Sequence, residues 1–453
     1  MTSIPKQCDV VVIGGGPAGS TVSNLLSREG YDVVLLEKAR HPRHKIGENL
    51  IPDFWKYSDM LGVTAAIEAD GFVLKGGALV NWRGQHHEMF FSDFGYDRPA
   101  LHVERDRFDE ILLRGAERVG TQVFEETSVT GTKFHGDATA TVSYRLRADN
   151  TSGQIACRYV VDASGQNAVV GRQLGLREID SDFRYMALWG YYVGNWYIDT
   201  QVQVQPYANI RHAPPVTYVT SIEAMEDFGW TWFMPLREQI SVGLVMPRAY
   251  VKSWRNAGES WDDFFKRQVA QIPVVGELLA DGCYIPNSSG LIQNYSYQSK
   301  GFAGPGYFLI GDAAGFVDPI FSVGVVLAMY MGASAAWALH ECLRYPHKAR
   351  RIEQVFSRQV RARLELARSL ALPRYQGETN DNSLANEVIQ FSQAGTRELI
   401  NTAAHLTDRS DNYKGLHRDF QNVPSTDKLL PIEQIDLSPI RQALSDQPNT
   451  NGR

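Results

Sequence analysis

Cysteine is scarce in this chain: Cys8, Cys157, Cys283 and Cys342 are scattered over 453 positions. None of them stands in the close pairs that zinc ligands form, and so few thiols make no disulfide framework. This usage is typical of a reducing compartment. We therefore expect no metal site and a cytoplasmic location.

An excess of basic residues and a long apolar run are also missing. The formal net charge is −6, which disfavours a nucleic-acid partner. The N-terminal sequence MTSIPKQCDVVVIGGG lacks the build of a signal peptide, and its apolar run is too short to cross a bilayer. The stretch GVVLAMYMGASAAWALHECL is rich in small residues and predicts a buried helix. We expect neither a nucleic-acid nor a membrane partner.

Glycine, by contrast, is concentrated near the start of the chain. Residues 8–13 (CDVVVI) predict a buried strand, the glycine turn GGGPAG follows at 14–19, and a helical pattern continues to Arg28. A second predicted strand at 31–36 is followed by Glu37. This is the spacing at which a carboxylate binds an adenosine ribose. In such a unit the glycines permit a tight turn, close approach of a pyrophosphate and close packing of helix on strand. The predicted nucleotide-binding residues are Gly14, Gly16, Ala18, Gly19, Glu37 and Lys38.

Three later stretches identify the nucleotide. They are GYFLIGDAAGFV at 306–317, YVVDASG at 159–165 and HVERDRFDEILLRGAERVG at 102–120. With the first glycine turn, they resemble the motifs of the para-hydroxybenzoate hydroxylase-like FAD monooxygenases. The resemblance implies that FAD is the cofactor, that Asp312, after Gly311, binds its ribityl chain, and that Arg105 lies near the flavin.

The motifs also predict how the chain is organised. We expect an α/β fold with a Rossmann-like FAD-binding domain of the para-hydroxybenzoate hydroxylase type, formed by residues 1–70, 101–180 and 290–345. Residues 71–100 and 181–289, rich in aromatic and alternating apolar segments, predict an inserted β-sheet substrate domain. Residues 346–453 predict a helical C-terminal region with a basic, solvated face and a flexible tail.

Two tryptophans occur in FGWTWFMP at 228–235. At i and i+2 of a strand, Trp230 and Trp232 point to the same face, where core packing alone would be an ordinary role. The string also resembles the Gly-Trp-x-Trp-x-Ile-Pro signature of flavin-dependent halogenases, from which it departs only at Met234. In that family the tryptophan wall keeps organic substrate away from the flavin.

A second halogenase string is FVDPIFSVG at 316–324, which fits the pattern Phe-x-x-Pro-x-x-Ser-x-Gly without departure. A plain helix cap is the alternative interpretation, because a helix begins here. Free backbone N–H groups at a helix start, with the helix dipole behind them, favour an anion. The resemblance implies a halide site formed by Pro319, Ser322, Val323 and Gly324.

A lysine lies in GFVLKGG at 71–77, where spacing alone favours an exposed turn lysine. Phe72, Lys75 and Gly77, however, resemble the string Phe-x-x-Lys-x-Gly of halogenases that act on phenols, pyrroles and carrier-tethered substrates. The resemblance implies that Lys75 receives hypohalous acid, by a hydrogen bond or as a haloamine. Glu48, in KIGENLIP, resembles a Gly-Glu element of the same family and is assigned a site-shaping role; capping of a turn is the alternative.

The resemblance as a whole implies a two-component halogenase. Such an enzyme would take FADH2 from a separate flavin reductase, use O2 and chloride or bromide, and act on an electron-rich aromatic in natural-product biosynthesis. That substrate would be free, or bound to a carrier protein or peptide. The alternatives are a single-component FAD-dependent aromatic hydroxylase that uses NAD(P)H, a prenyl-type reductase, and a flavin-binding protein without turnover.

Overall fold

The computed structural model describes residues 3–82, 85–136, 139–222 and 229–376. The C-terminal tail and Phe228, on which parts of the sequence predictions fall, lie outside these residues. The strands are β1 Gln7–Ile13, β2 Val33–Leu36, β3 Val73–Lys75, β4 Gly77–Trp82, β5 Gln85–Phe90, β6 Ala100–His102, β7 Gln122–Phe124, β8 Thr127–Phe134, β9 Ala140–Leu146, β10 Ser152–Asp162, β11 Arg177–Ile179, β12 Tyr185–Val193, β13 Trp196–Ile198, β14 Val204–Pro206, β15 Val216–Ile222, β16 Gly229–Pro235, β17 Ile240–Pro247, β18 Cys283–Tyr284, β19 Gly290–Gln293, β20 Tyr297–Ser299, β21 Ala303–Gly304, β22 Tyr307–Leu309 and β23 Gly315–Phe316. The α-helices are α1 Pro17–Arg28, α2 Phe54–Leu61, α3 Thr64–Asp70, α4 Arg105–Arg118, α5 Val169–Gln173, α6 Arg248–Trp254, α7 Trp261–Val269, α8 Val275–Leu278, α9 Gly324–Arg344 and α10 Ala349–Gln376.

The first sheet has the strand order β21-β22-β10-β1-β2-β7, and β9 and β8 extend it from β10. Strand β1 is central and runs parallel to both β2 and β10. Val10, Val11 and Val12 of β1 are fully buried. Successive side chains of a strand point to opposite faces, so both faces of β1 lie in the core, as is typical of a parallel sheet. This is the Rossmann-like α/β unit that the glycine turn predicts, and helix α1 has the predicted bounds.

The second sheet has the order β18-β12-β17-β16-β15-β4-β5, with β19 also paired to β12. Its long strands pair antiparallel, except that β4 runs parallel to β15. One face packs on the core shared with the first sheet, and the other packs on α7 and α8. Strand β19 pairs here although the predicted boundary placed residue 290 in the FAD-binding domain, and β3 pairs with β6 in a separate two-stranded ribbon. The domain boundaries themselves stay a prediction.

Helices α9 and α10 complete the side of the molecule that holds the first sheet. Helix α9 packs against α1 at Gly332, where an added Cβ would lie 2.7 Å from the Ala18 carbonyl oxygen. The stretch predicted as a buried helix is α9, and most of its residues are buried. Helix α10 packs on α9 and reaches the second sheet through Tyr375. Within the described ranges, no helix combines the length and apolar character needed to cross a bilayer.

The glycine turn between β1 and α1 is fixed by contacts within the protein. Gly14 has a φ of +106°, a conformation that glycine adopts readily. A Cβ at Gly19 would lie 1.9 Å from the Gly14 carbonyl oxygen, whereas a Cβ at Gly16 would meet only Arg43 Nη2, at 3.6 Å. Packing within the protein therefore accounts for Gly14 and Gly19. It does not account for Gly16.

Gly19→Ala should destabilise the flavin-free protein by about 1–3 kcal/mol, the usual effect of overpacking a filled site. Gly16→Ala is the matched control: it changes only a helix N-cap, where we expect a loss of less than about 1 kcal/mol. Denaturant unfolding of both variants measures the difference. Equal stability of the two would contradict the geometry described for this turn.

Candidate functional site

The acid at the end of β2 closes the glycine turn from the side. Glu37 Oε2 accepts a 2.7 Å hydrogen bond from the Gly15 N–H, and Oε1 accepts one of 2.9 Å from the Ala39 N–H. The Glu37 carboxylate is thus held beside the start of α1, as the sequence predicts. Lys38, the next residue, is exposed.

Arg105 begins α4 as predicted and organises the loop after β2. Its guanidinium forms two hydrogen bonds to Asp109, of 2.8 and 3.1 Å, and donates to the Ile46 and Gly47 carbonyl oxygens at 2.9 and 3.1 Å. Arg43 shares the same carboxylate at 2.8 Å. Burial raises the pKa of Asp109, but the two guanidinium groups outweigh it and hold that pKa below its usual value. The cluster fixes the loop against α4.

Asp312 follows β22 in a short 3₁₀ turn, Gly311–Ala313, beside α1. An added Cβ at Gly311 would lie 3.0 Å from Ala18 Cβ, so the two predicted residues pack together. Burial raises the pKa of Asp312 to about 6, and the positive charges of Arg105 and Lys45 oppose that rise. The structure therefore brings the second nucleotide motif next to the first.

These residues fit FAD. The space in front of Gly16 is left open by the protein, so a ligand can approach the backbone there. The first N–H groups of α1 have no partner within the helix, and they lie at the positive end of the helix dipole. A diphosphate bound there would accept hydrogen bonds from them. Glu37 at one end and Asp312 at the other carry carboxyl oxygens that could accept hydrogen bonds from ribose and ribityl hydroxyl groups. The site would hold the dinucleotide along the carboxyl ends of β1 and β2.

The predicted halide loop joins β23 to α9. The Ser322 N–H donates to the Pro319 carbonyl oxygen at 3.0 Å and closes a turn. Ser322 has a φ of +57°, a strained conformation for a residue other than glycine, and such strain is concentrated at functional sites. Helix α9 begins at Gly324 with Val323 as its N-cap residue. The loop thus ends at the start of α9, where the first N–H groups of a helix have no partner within it and favour an anion.

The buried carboxyl of Asp318 anchors this loop. The sequence interpretation did not single it out. Asp318 Oδ1 accepts from the Ile320 N–H at 3.0 Å, and Oδ2 accepts from the Tyr295 and Tyr375 hydroxyl groups at 3.0 and 2.7 Å. Burial raises the pKa of Asp318 to about 7, against the opposing effect of these hydrogen bonds. The carboxyl therefore ties the loop between β23 and α9 to helix α10.

The tryptophan pair lies on one face of β16, as the spacing predicts. The Trp230 and Trp232 rings are 5.8 Å apart between centroids, and both are buried. The Trp230 indole N–H donates to the Tyr375 hydroxyl at 2.7 Å, and the Trp232 N–H donates to Ser241 Oγ at 3.3 Å. Tyr375 therefore connects the tryptophan pair to the Asp318 carboxyl.

Lys75 is not an exposed turn residue: it ends β3 with its side chain buried. Its ammonium donates to the Leu50 carbonyl oxygen at 3.1 Å and lies 5.0 Å from the centre of the Phe91 ring. Burial alone lowers the pKa of Lys75 to about 7. Within the described ranges no carboxylate forms an ion pair with it, so nothing restores the pKa to its usual value.

Lys75 and the halide loop share one pocket, whose volume is about 60 Å³. Ser322, Phe321 and Ile320 line one side, and Lys75 lies among the other lining residues. Trp230 and Trp232 are not among the lining residues. The remaining wall is mostly apolar with two polar groups, and consists of Asn49, Ile51, Ala78, Val80, Trp82, Met89, Phe91, Thr217 and Val219.

Glu48 is buried in the loop that Arg105 organises. Its Oε1 accepts a 2.9 Å hydrogen bond from the Tyr191 hydroxyl, while Oε2 is buried without a hydrogen-bond partner among the described residues. Burial raises the pKa of Glu48 to about 8, and the nearby Ser241 and Tyr191 hydroxyl groups oppose the rise. A carboxyl in these surroundings carries a proton at neutral pH. It is therefore not an ordinary turn cap.

The sequence interpretation missed Asp318, Tyr375, Tyr191 and His102. His102 is buried, with Nδ1 2.9 Å from the Pro235 carbonyl oxygen and Nε2 2.8 Å from Thr217 Oγ1. A carbonyl only accepts, so Nδ1 carries the proton and Nε2 accepts from Thr217. Of these four residues, only Asp318 could have been found from a local motif, because it lies within FVDPIFSVG at 316–324. Within the described ranges, no group of acidic, histidine or cysteine side chains could hold a metal ion.

The chain is similar to known flavoproteins over most of its length. Residues 7–363 match the family model described as an FAD binding domain. A tryptophan 2-halogenase of Chondromyces crocatus is 36% identical over 335 residues, covering 74% of this chain and 61% of that protein. A flavin-dependent halogenase of Armillaria mellea is 34% identical over 347 residues, covering 74% of this chain and 64% of that protein. The chain thus spans less than two thirds of the length of these two curated relatives.

A solved structure extends the likeness to the whole of another halogenase. The myxobacterial chondrochloren halogenase is 30% identical, with a TM-score of 0.73, over 92% of this chain and 93% of that one. Its description names it a variant of FAD-dependent halogenases. Together with the family model and the curated relatives, this shows that the chain belongs to the flavin-dependent halogenases of the FAD monooxygenase superfamily.

Proposed function

We propose that this protein is an FADH2-dependent halogenase that uses O2 and chloride or bromide to halogenate an electron-rich aromatic compound. The observation that supports this best is the pocket shared by Lys75 and Ser322. An amine and an anion-binding loop facing one cavity are what transfer of an oxidised halogen requires. A separate flavin reductase would supply the reduced cofactor.

The nucleotide-binding residues hold the cofactor against the halide loop. Gly16 and the start of α1 bind the diphosphate, and Glu37 and Asp312 bind hydroxyl groups of the two sugar parts. When bound, reduced FAD would supply the two electrons that reduce one oxygen atom of O2 to water, so that the other oxygen atom can oxidise halide to hypohalous acid with uptake of one proton. The Val323 and Gly324 N–H groups bind the halide through the helix start, and Asp318 keeps the loop in place by its three hydrogen bonds.

Lys75 then controls the oxidised halogen. With a pKa of about 7, its amine is partly protonated at neutral pH. The ammonium form polarises the oxygen of hypohalous acid by donating a hydrogen bond, and the neutral amine displaces water from the acid to form a haloamine. Both routes present an electrophilic halogen inside the pocket. The Leu50 carbonyl oxygen holds the amine in position.

The pocket favours a flat, electron-rich ring. Trp82 and Phe91 offer aromatic surface, and Asn49 and Thr217 are the polar groups that could orient a hydroxyl or ring N–H. We favour a phenol- or pyrrole-like substrate of a natural-product pathway, free or bound to a carrier protein or peptide. The Chondromyces relative is named for tryptophan, so indoles belong in the same test.

We expect the wild-type protein, given chemically reduced FAD, O2 and halide, to convert at least one phenol, pyrrole or indole into a product heavier by one halogen. The acceptors should be offered both free and loaded on a carrier protein, with chloride and with bromide. Mass spectrometry of the products is the measurement. A hydroxylated product formed without halide, with NADPH alone reducing bound FAD rapidly, would instead support the hydroxylase alternative.

Lys75→Met should abolish halogenated product, by a factor of at least about 10², while oxidation of reduced FAD by O2 continues. The reason is that the thioether has no N–H to donate and no amine to halogenate. Lys75→Arg should not restore activity, because the guanidinium is planar and permanently charged. The exposed Lys133→Met is the control. Product yield at the wild-type level from Lys75→Met would refute this assignment.

Gly324→Ala tests the halide site. An added Cβ would meet only Phe316, at 3.6 Å, so we expect stability to change by less than about 0.5 kcal/mol. The methyl group would nevertheless cover the helix start and weaken apparent halide affinity about tenfold, or ~1.4 kcal/mol. Halogenation measured against halide concentration gives the result. Gly131→Ala, where a Cβ meets only Gln173 Oε1 at 4.0 Å, is the matched control. An unchanged halide dependence in a folded Gly324→Ala variant would exclude this loop as the halide site.

A further inference from the structure

Glu48 belongs to a hydrogen-bonded chain that reaches the surface. Its Oε1 lies 2.9 Å from the Tyr191 hydroxyl, and that hydroxyl lies 2.8 Å from Nε2 of His44. Glu48 is 3% exposed, whereas His44 is an exposed residue. The buried carboxyl is thus connected to solvent through one tyrosine hydroxyl.

The inner end of this chain lies at the proposed flavin site. Arg105, which fixes the loop of Glu48 through the Ile46 and Gly47 carbonyl oxygens, interacts electrostatically with both Glu48 and Asp312. Ser241, next to Glu48, accepts the indole N–H of Trp232. The second Glu48 oxygen is buried with no hydrogen-bond partner among the described residues. A protonated carboxyl at this position can donate its proton to the reaction.

We propose that Glu48, Tyr191 and His44 form a proton path between solvent and the flavin side of the active site. The inference goes beyond the site-shaping role expected for Glu48 and rests on the proposed function for its purpose. Oxidation of halide by O2 consumes protons at a site from which water must be kept out. A path through side chains delivers them without opening the site.

A proton passes from His44 through Tyr191 to Glu48 in two coupled transfers. Protonated His44 breaks its Nε2–H bond as an O–H bond forms on Tyr191. The hydroxyl proton of Tyr191 moves at the same time to Oε1 of Glu48. His44 is left neutral, Tyr191 is again a phenol and Glu48 is a carboxylic acid. Rotation of the Glu48 carboxyl then turns its O–H bond away from Tyr191 toward the flavin side. Once that proton has passed to the reaction, the Tyr191 hydroxyl rotates back and donates to the carboxylate again.

The groups around both ends suit this exchange. At Glu48, burial and Glu104 favour the acid, while Ser241, Tyr191 and Arg105 favour the carboxylate. At His44, partial desolvation of the ring lowers the pKa, Asp106 raises it, and Lys45 and Arg105 lower it further. The lowered pKa of His44 favours release of a bound proton. A group that releases its proton readily is suited to pass it on.

The test measures proton exchange at Glu48 by infrared difference spectroscopy of the full-length protein, with and without FAD. Glu48→Gln identifies the protonated carboxyl band at about pH 6, below the pKa of Glu48. After transfer to D2O, the wild-type band should shift rapidly. In Tyr191→Phe, which keeps the ring and breaks both hydrogen bonds, the shift should be slower by about tenfold or more. Tyr192→Phe, on the opposite face of β12, is the control and should exchange like the wild type.

Two results would overturn the proposal. One is exchange at the wild-type rate in folded Tyr191→Phe, and the other is the absence of a protonated Glu48 band at about pH 6. Because the measurement needs neither halide nor an aromatic substrate, it can fail or succeed independently of halogenation. In the enzyme assay, Tyr191→Phe should lower kcat with the KM for halide unchanged, and a variant that had only lost structure would lose both.

Discussion

The short extended segment from Glu48 to Leu50 holds together the two sides of the site. The Val103 N–H donates to the Glu48 carbonyl oxygen at 2.8 Å, and the Leu50 N–H donates to the Leu101 carbonyl oxygen at 3.1 Å. The Leu50 carbonyl oxygen in turn accepts from Lys75. The segment therefore carries the carboxyl at one end and the anchor of the amine at the other. Any shift along it would move both groups together.

The Leu50 carbonyl oxygen, which this segment holds in place, also helps to explain how an ammonium without a counterion can be buried. A charge without a counterion in an apolar pocket is costly, and proteins reduce the cost by lowering the pKa of the amine. The Leu50 carbonyl oxygen and the Phe91 ring offer electron-rich contacts that accept either form of Lys75. A carboxylate in their place would fix the ammonium form. In the proposed function, an amine whose pKa is about 7 is available both to donate a hydrogen bond and to be halogenated.

The sequence predicts those parts of the site that local backbone geometry decides. The turn from Gly14 to Gly19, the acid at Glu37 and the helix start at Gly324 each depend on a few adjacent residues, so a short motif contains the information. Tyr191 contacts Glu48 across 143 positions, and Tyr375 contacts Asp318 across 57. No periodicity or spacing encodes such a pair, because it depends on how β12 and α10 dock against distant loops. The burial of Lys75 has the same origin, and spacing alone favoured an exposed residue.

Asp318 and Glu48 are both buried carboxyls of this region, but their oxygens have different hydrogen-bond partners. The difference distinguishes a structural role from a chemical one. Asp318 uses both oxygens, with a backbone N–H on one and two tyrosine hydroxyl groups on the other. With three hydrogen bonds of this kind, the carboxyl fixes the positions of its partners. Glu48 has one oxygen bound by Tyr191 and the other, among the described residues, without a partner. Burial raises the pKa of both carboxyls. The hydrogen-bonded link from Glu48 through Tyr191 to His44 is therefore what assigns Glu48 to proton transfer, and the three partners of Asp318 assign that carboxyl to holding the loop.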